Sequence, residues 1–224
     1  MAITSRPHFD RELRALRDEV VVLGNMVDRA IDRSIDALKR RDMLAAQHIV
    51  ADDAAINRKR FEIEERVMQI IARQQPMAGD LRIVLAVLLV VTDLERMGDH
   101  AEGIAKIVLM HGDEPLLKPL IDVPRMAEKA RDMLRRALQA FVAEDVEASK
   151  QIAMEDDEVD ALYDQVYREL ITFMLSDPRT ITRATYLLWV AHNLERIADR
   201  VTNICERTVF AVTGRLEEFN VSSY

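Results

Sequence analysis

The run Leu-Glu-Arg-x-x-Asp occurs twice in this chain, as Leu94–Asp99 and as Leu194–Asp199, 100 residues apart, and each copy has an isoleucine ten residues after its leucine, at Ile104 and Ile204. A chain that uses one sequence twice at such a distance is built from two copies of one structural unit, and whatever fold it adopts must accommodate the run in both. Within each copy the glutamate and the aspartate are four residues apart. On a helix that spacing puts both carboxylates on one face, one turn apart. Carboxylates stacked in this way repel each other and cost stability unless positive charge sits against them.

The repeat extends beyond the run. Asp42 and Asp145 are each placed to cap a second helix, and Asp53-x-x-Ile56-Asn57 matches Asp156-x-x-Val159-Asp160 at an offset of 103 residues. Pro76 and Pro178 both break the chain before a third helix. In the first unit the apolar positions Leu13, Leu16, Val20, Leu23, Val27, Ile31, Ile35 and Leu38 advance by three and four, which predicts an amphipathic helix over 8–41. Further helices are predicted over 43–73 and from 77 or 79 to 110. The breaker-rich stretch from His111-Gly112-Asp113-Glu114-Pro115 through Pro119 and Pro124 then separates the units. The pattern restarts with helices over about 124–142, 145–175 and 179–212, stopped by Gly214; the tail 215–224 has no periodicity. Connections this short make neighbouring helices antiparallel. The expected fold is all-α: two tandem, pseudo-symmetric three-helix bundles, 8–112 and 122–214.

Composition agrees. Half of the chain is apolar but only 5% is aromatic, with 6 Gly and 6 Pro in 224 residues, a balance that favours helices. The net charge of −8 argues against a nucleic-acid partner, which needs a basic face. Residues 1–10 contain no apolar signal core. The longest apolar run, 83–91, is nine residues, about half of a membrane span. Cys205 is the single cysteine, so no internal disulfide forms, which fits a reducing compartment. A soluble cytoplasmic protein is expected.

The turn near Pro76 folds the second helix back along the third. Residues equally far from it lie at one height, which levels Asp53 and Asn57 with Glu95 and Asp99. The same folding levels Asp156 and Asp160 with Glu195 and Asp199. By the same counting Asp28 and Asp32 of the first helix reach the first band, and Glu128 and Asp132 approach the second. Carboxylates this close either raise one another's pKa or bind a cation. All-oxygen donors suit Mg, Ca, Mn or Fe. The Glu-x-x-His motif of ferritin-type di-iron bundles is absent, because Gly98 and Ala198 stand at its histidine position. His100 and His192 read as ordinary, partly buried histidines, and Cys205 and Trp189 as core. No phosphate-cradling glycine loop and no Ser/His/Asp or Cys/His arrangement is indicated. Two readings fit: a metal-binding adaptor, and a carboxylate-bridged metalloenzyme or metal-storage bundle.

The stretch IIARQQPMAGDLRIVLAVLLVVTDLERMGDHAEGIAKI (70–107) resembles the signature of the PhoU family of bacterial phosphate-transport regulators. MEDDEVDALY (154–163) and DPRTITRATYLLWVAHNLERIADRVTNICE (177–206) resemble its second repeat, so the likeness runs from about residue 9 to 214. It implies two similar three-helix bundles that bind divalent or ferric ions (Fe, Mn, Mg, Zn or Ni), in multinuclear clusters, through Glu/Asp-x-x-x-Asp pairs. Residue by residue, that implies Glu95 with Asp99, Glu195 with Asp199, and Asp156 with Asp160; Asp53 with Asn57 departs from the pattern by an amide. It further implies a non-enzymatic homodimer acting as a negative regulator when phosphate is abundant. As implied partners it gives the ATP-binding subunit of the phosphate importer and a phosphate-sensing histidine kinase. A relative acting on a different transporter also fits the sequence.

Overall fold

The computed structural model of the chain describes residues 7–219. It contains helices α1 (Pro7–Arg40), α2 (Met43–Gln74), α3 (Gly79–His111), α4 (Asp122–Ala143), α5 (Val146–Ala153), α6 (Asp156–Ser176) and α7 (Ile181–Thr213), with a 3₁₀ turn at Pro178–Thr180 before α7. No strand occurs among the described residues, and no helix is long and apolar enough to cross a membrane. All eight apolar positions that predicted the first helix are buried.

The two units turn in the same way. Arg41 and Glu144 take left-handed backbone angles (φ 55° and 57°) just after α1 and α4. The amides of Asp42 and Asp145 then donate to the carbonyls of Ala37 and Ala140, both at 2.9 Å. The carboxylates of Asp42 and Asp145 accept from the amides of Ala45 and Ala148, both at 2.9 Å, satisfying a donor that the first turn leaves open. Asp42→Ala and Asp145→Ala are each expected to cost about 1 kcal/mol in urea unfolding. Neither substitution should change helix content at low denaturant, and a cost near zero for both would show that these caps do not hold the turns.

The first bundle packs α1, α2 and α3; the second packs α4, α7 and the α5–α6 pair. The most extensive contact in the molecule runs between α3 and α7, and α1 also meets α4. Asp93 of α3 touches Arg200 and Asn203 of α7, whereas His100 touches Asn193. Advancing along α3 therefore means retreating along α7, so the two run antiparallel and cross near Arg96 and Arg196. Asp28 of α1 and Arg131 of α4, which are equivalent positions at the 103-residue offset, meet at 2.8 Å. Both crossings join equivalent positions, which places a pseudo-twofold axis through them.

The expectation of one helix over 145–175 is corrected. Met154 and Glu155 interrupt it, with the Glu155 amide donating to the Ile152 carbonyl at 3.0 Å and the Glu158 amide to the Glu155 carbonyl at 3.1 Å. Glu155 is drawn towards α4 by Arg136 at 2.5 Å and Lys129 at 2.7 Å. Asp156, Asp157 and Glu158 then fill the first turn of α6, where negative charge is favoured by the helix dipole. Trp189 is 46% exposed beside Tyr186, not core. Cys205 is buried as expected, and burial pushes its thiol pKa up to about 12. Residues 220–224 of the expected tail lie outside the described residues.

Candidate metal centre

In the first bundle α2 contributes Asp53 and Asn57, and α3 contributes Glu95 and Asp99. The helices approach closely at Gly98, where an added Cβ would lie 3.1 Å from Ile56 and 3.6 Å from Asp53 Oδ1. Asn57 donates to Asp53 Oδ2 at 2.8 Å, while the other oxygen, Oδ1, is buried with no hydrogen-bond partner among the described residues. Burial, with the charges of Glu102 and Glu95, raises the Asp53 pKa against that hydrogen bond. Asp99 stands at the solvent edge of the set. Partial desolvation by the packed helices, then the charges of Glu95, Asp53 and Glu102, push it up to about 6. Sequence counting missed Glu102, although it continues the stripe of Glu95 and Asp99 along α3. It also missed Arg60, whose Nη1 lies 2.7 Å from Glu95 Oε1.

The second set is buried more deeply. Asp156 is 2% exposed at the start of α6, and burial followed by the charges of Asp160, Asp199 and Glu195 pushes it up to about 7. Glu195 reaches about 7 as well, through burial and Asp199. Asp160 and Asp199 are raised mainly by burial. Arg196 Nη1 meets Asp199 Oδ2 at 2.7 Å, and His192, which is exposed, has Nδ1 3.4 Å from Glu195 Oε2. Deeper burial is the first cause of the difference, and the amide-for-carboxylate exchange between Asn57 and Asp160 adds to it. In the first bundle a neutral donor relieves Asp53; in the second a further carboxylate adds to the repulsion.

Each band thus brings together its four predicted residues, the helix-α1 acids excepted. Asp28 and Asp32 are both taken by Arg131 of α4. Counting from a turn gives height but not direction, and these two face the other bundle. Asp132 pairs with Arg136 at 2.7 Å. Among the described residues no group of three or more His, Cys, Asp or Glu side chains is placed to hold a metal ion as it stands. The donors suit a hard cation in kind, being all oxygen and close enough to disturb one another's ionisation. They are not gathered into a chelate, because Arg60, Asn57 and Arg196 hold Glu95, Asp53 and Asp199.

Fold and site together define a class: duplicated all-α proteins of two three-helix bundles, each with an acidic cluster between its second and third helices. The comparisons make that class specific. The family profile described as the PhoU domain matches residues 20–108 and 123–208, and the chain belongs to that family. It is 35% identical to a phosphate-specific transport system accessory protein PhoU homolog of Clostridium acetobutylicum, over 96% of this chain and 99% of that one. It is 38% identical to a homolog of the same description from Aquifex aeolicus, over 83% and 84%. The fold matches the crystal structure of PhoU from Pseudomonas aeruginosa with a TM-score of 0.87 at 32% identity, covering 92% of this chain and all of that one. The phosphate transport system regulatory protein PhoU from Streptococcus pneumoniae matches with the same TM-score at 34% identity, over 93% and 99%.

Proposed function

We propose that this chain is an adaptor of phosphate uptake. As a PhoU-family member it is a regulatory accessory protein of phosphate transport and not an enzyme. Beyond that, it joins the ATP-binding subunit of the phosphate importer to a phosphate-sensing histidine kinase, in the cytoplasm and as a homodimer. Joined in this way, it restrains both uptake and the starvation response while phosphate is abundant. The observation that carries the reading is the near end-to-end match to phosphate-specific transport accessory proteins.

The carboxylate sets would act within that role as cation sites. Glu95, Asp99, Asp53 and Asn57 would hold a divalent or ferric ion in the first bundle, and Glu195, Asp199, Asp156 and Asp160 in the second. A bound cation supplies the positive charge these clusters lack. To accept it, Glu95 and Asp199 must give up Arg60 and Arg196, so metal binding would leave Arg60 to Glu64 alone and free Arg196.

The test is a pull-down of purified protein against the importer's ATP-binding subunit and the kinase's cytoplasmic part, with and without Mn²⁺ or Mg²⁺. Specific capture of either is the expected result, and no capture under any condition would sink the adaptor reading. Glu195→Gln combined with Asp199→Asn should lower the metal bound per chain while leaving the helical circular dichroism unchanged. Unchanged metal stoichiometry would remove the second set from the mechanism.

A further inference from the structure

The duplication lets the two carboxylate sets be compared position by position. Asp53 corresponds to Asp156, Glu95 to Glu195 and Asp99 to Asp199, but Asn57 stands where the second unit has Asp160. The first set is therefore one carboxylate short. One turn beyond Asp99 the imbalance reverses, because Glu102 stands where the second unit has Thr202. Thr202 is buried, and its hydroxyl donates to the Asp199 carbonyl at 2.7 Å. It is satisfied by its own helix and adds no charge to the second set. With Glu102 counted, each bundle carries four carboxylates where its second and third helices meet.

Glu102 is placed to serve the first set. A cavity of about 290 Å³ opens between α1, α2 and α3, and Asp53, Gly98 and Glu102 line it together. Gly98 and Glu102 are four residues apart and share a face of α3, and helical side chains lean towards the N-terminus, which directs Glu102 back over Gly98. Asp53 reaches the same point from α2, with Oδ1 only 3.6 Å from where a Cβ on Gly98 would be. After burial, the charge of Glu102 is the largest cause that raises the Asp53 pKa. Glu102 is also easily released. It is paired with exposed Lys106 at 2.6 Å on its own helix, and such pairs are weak. Glu95, by contrast, is tied across helices to Arg60 at 2.7 Å. Asp52 lines the same cavity but is held by Arg33 at 2.6 Å.

We propose that Glu102 is a ligand of the first bundle's cation, joining Asp53 and Asp99 and supplying the carboxylate that Asp160 supplies in the second. Asp99 and Glu102, three residues apart, are neighbours on the helix surface. Three carboxylates and water from the cavity make the all-oxygen shell of a divalent ion such as Mn²⁺ or Mg²⁺. The inference rests on the reading of the carboxylate sets as cation sites. It makes the two sites of the chain unequal, with different ligands on the same scaffold.

The experiment is Mn²⁺ titration of the metal-free full chain, with the free ion counted by electron paramagnetic resonance. Glu195→Gln and Asp199→Asn are present throughout, so that the first set alone is read. Saturable binding is expected in this background chain, weakened about tenfold or more by Glu102→Gln, which removes one of three charged ligands. Glu102→Asp keeps the charge but draws the carboxylate back by one methylene. It should weaken binding as well, whereas a charge acting from a distance would be indifferent to that change. Asn57→Asp gives the first set the arrangement of the second, and it should recover binding in Glu102→Gln. The proposal is overturned if Glu102→Gln or Glu102→Asp binds as the background chain does, or if Asn57→Asp recovers nothing. If the background chain itself binds no Mn²⁺, the cation reading of the first set falls with it.

Discussion

Stripped of metal, the protein should lose stability as the pH rises from 5 to 8, and Mn²⁺ should restore it at the alkaline end. The folded-state pKa values of Asp156 and Glu195 stand at about 7 and that of Asp99 at about 6, above the unfolded carboxylate values of about 4. Between those limits the folded state binds more protons than the unfolded one. The stabilisation is complete below the unfolded pKa and is lost as the pH rises through the folded one. One pKa unit is worth about 1.4 kcal/mol, but Asp156 and Glu195 titrate as a coupled set and do not add. A total loss of about 2–4 kcal/mol is expected, or about 5–15 °C in melting temperature for a chain of this size. Two groups work the other way, one in stronger acid and one at the acid end of this range. Glu155, held down to about 2 chiefly by Arg136, loses its contribution only in stronger acid. Burial keeps the His100 pKa low, which opposes the trend only below its unfolded value of about 6.5. Melting curves in EDTA at pH 5, 6.5 and 8 make the measurement. Flat or rising stability would mean that the clusters carry no such repulsion, and Asp156→Asn should flatten the curve. A cation binds the ionised carboxylates of the folded state, so its stabilisation should grow with pH.

That both acidic sets form at all could be read from spacing. Four-residue steps fix a helix face, and counting from Pro76 and Pro178 fixes height, so Asp53 meets Glu95 and Asp99, and Asp156 meets Glu195 and Asp199. The caps at Asp42 and Asp145 follow from local chemistry alone. What resisted reading depended on how one bundle lies on the other. Asp28 and Asp32 turn to Arg131 of α4, and no turn within the first unit encodes that. Trp189 looks like core in a run of apolar residues, yet its position on α7 faces out once α3, α4 and α6 have taken the other sides. The break at Met154–Glu155 arises from a long-range pull by Arg136 and Lys129 on a segment whose helix propensity is unremarked locally. Arg60 escaped notice because an arginine's reach spans a whole turn, and its choice between Glu64 and Glu95 is settled only by packing; in the structure it takes both.

Leu94→Ala should destabilise the whole molecule as one unit. Leu94 is fully buried in α3, as its equivalent Leu194 is in α7, and truncating a buried leucine costs about 2–5 kcal/mol through lost transfer energy and the cavity left behind. In a chain of this length that corresponds to about 5–15 °C in melting temperature. The more telling result is the number of transitions. If the bundles were independent, a cavity in the first would lower one transition and leave the other in place. Here α3 and α7 make the most extensive contact in the molecule, and a contact of that extent couples the two cores. Unfolding the first bundle would expose the α7 face that α3 covers, including Asp93's partners Arg200 and Asn203. Calorimetry of Leu94→Ala and of Leu194→Ala should therefore give one shifted transition each, of similar size. Two resolved transitions in either variant would mean that the seam is a contact between autonomous domains, able to open while both bundles stay folded. A single transition means that anything bound at either carboxylate set is felt by both bundles.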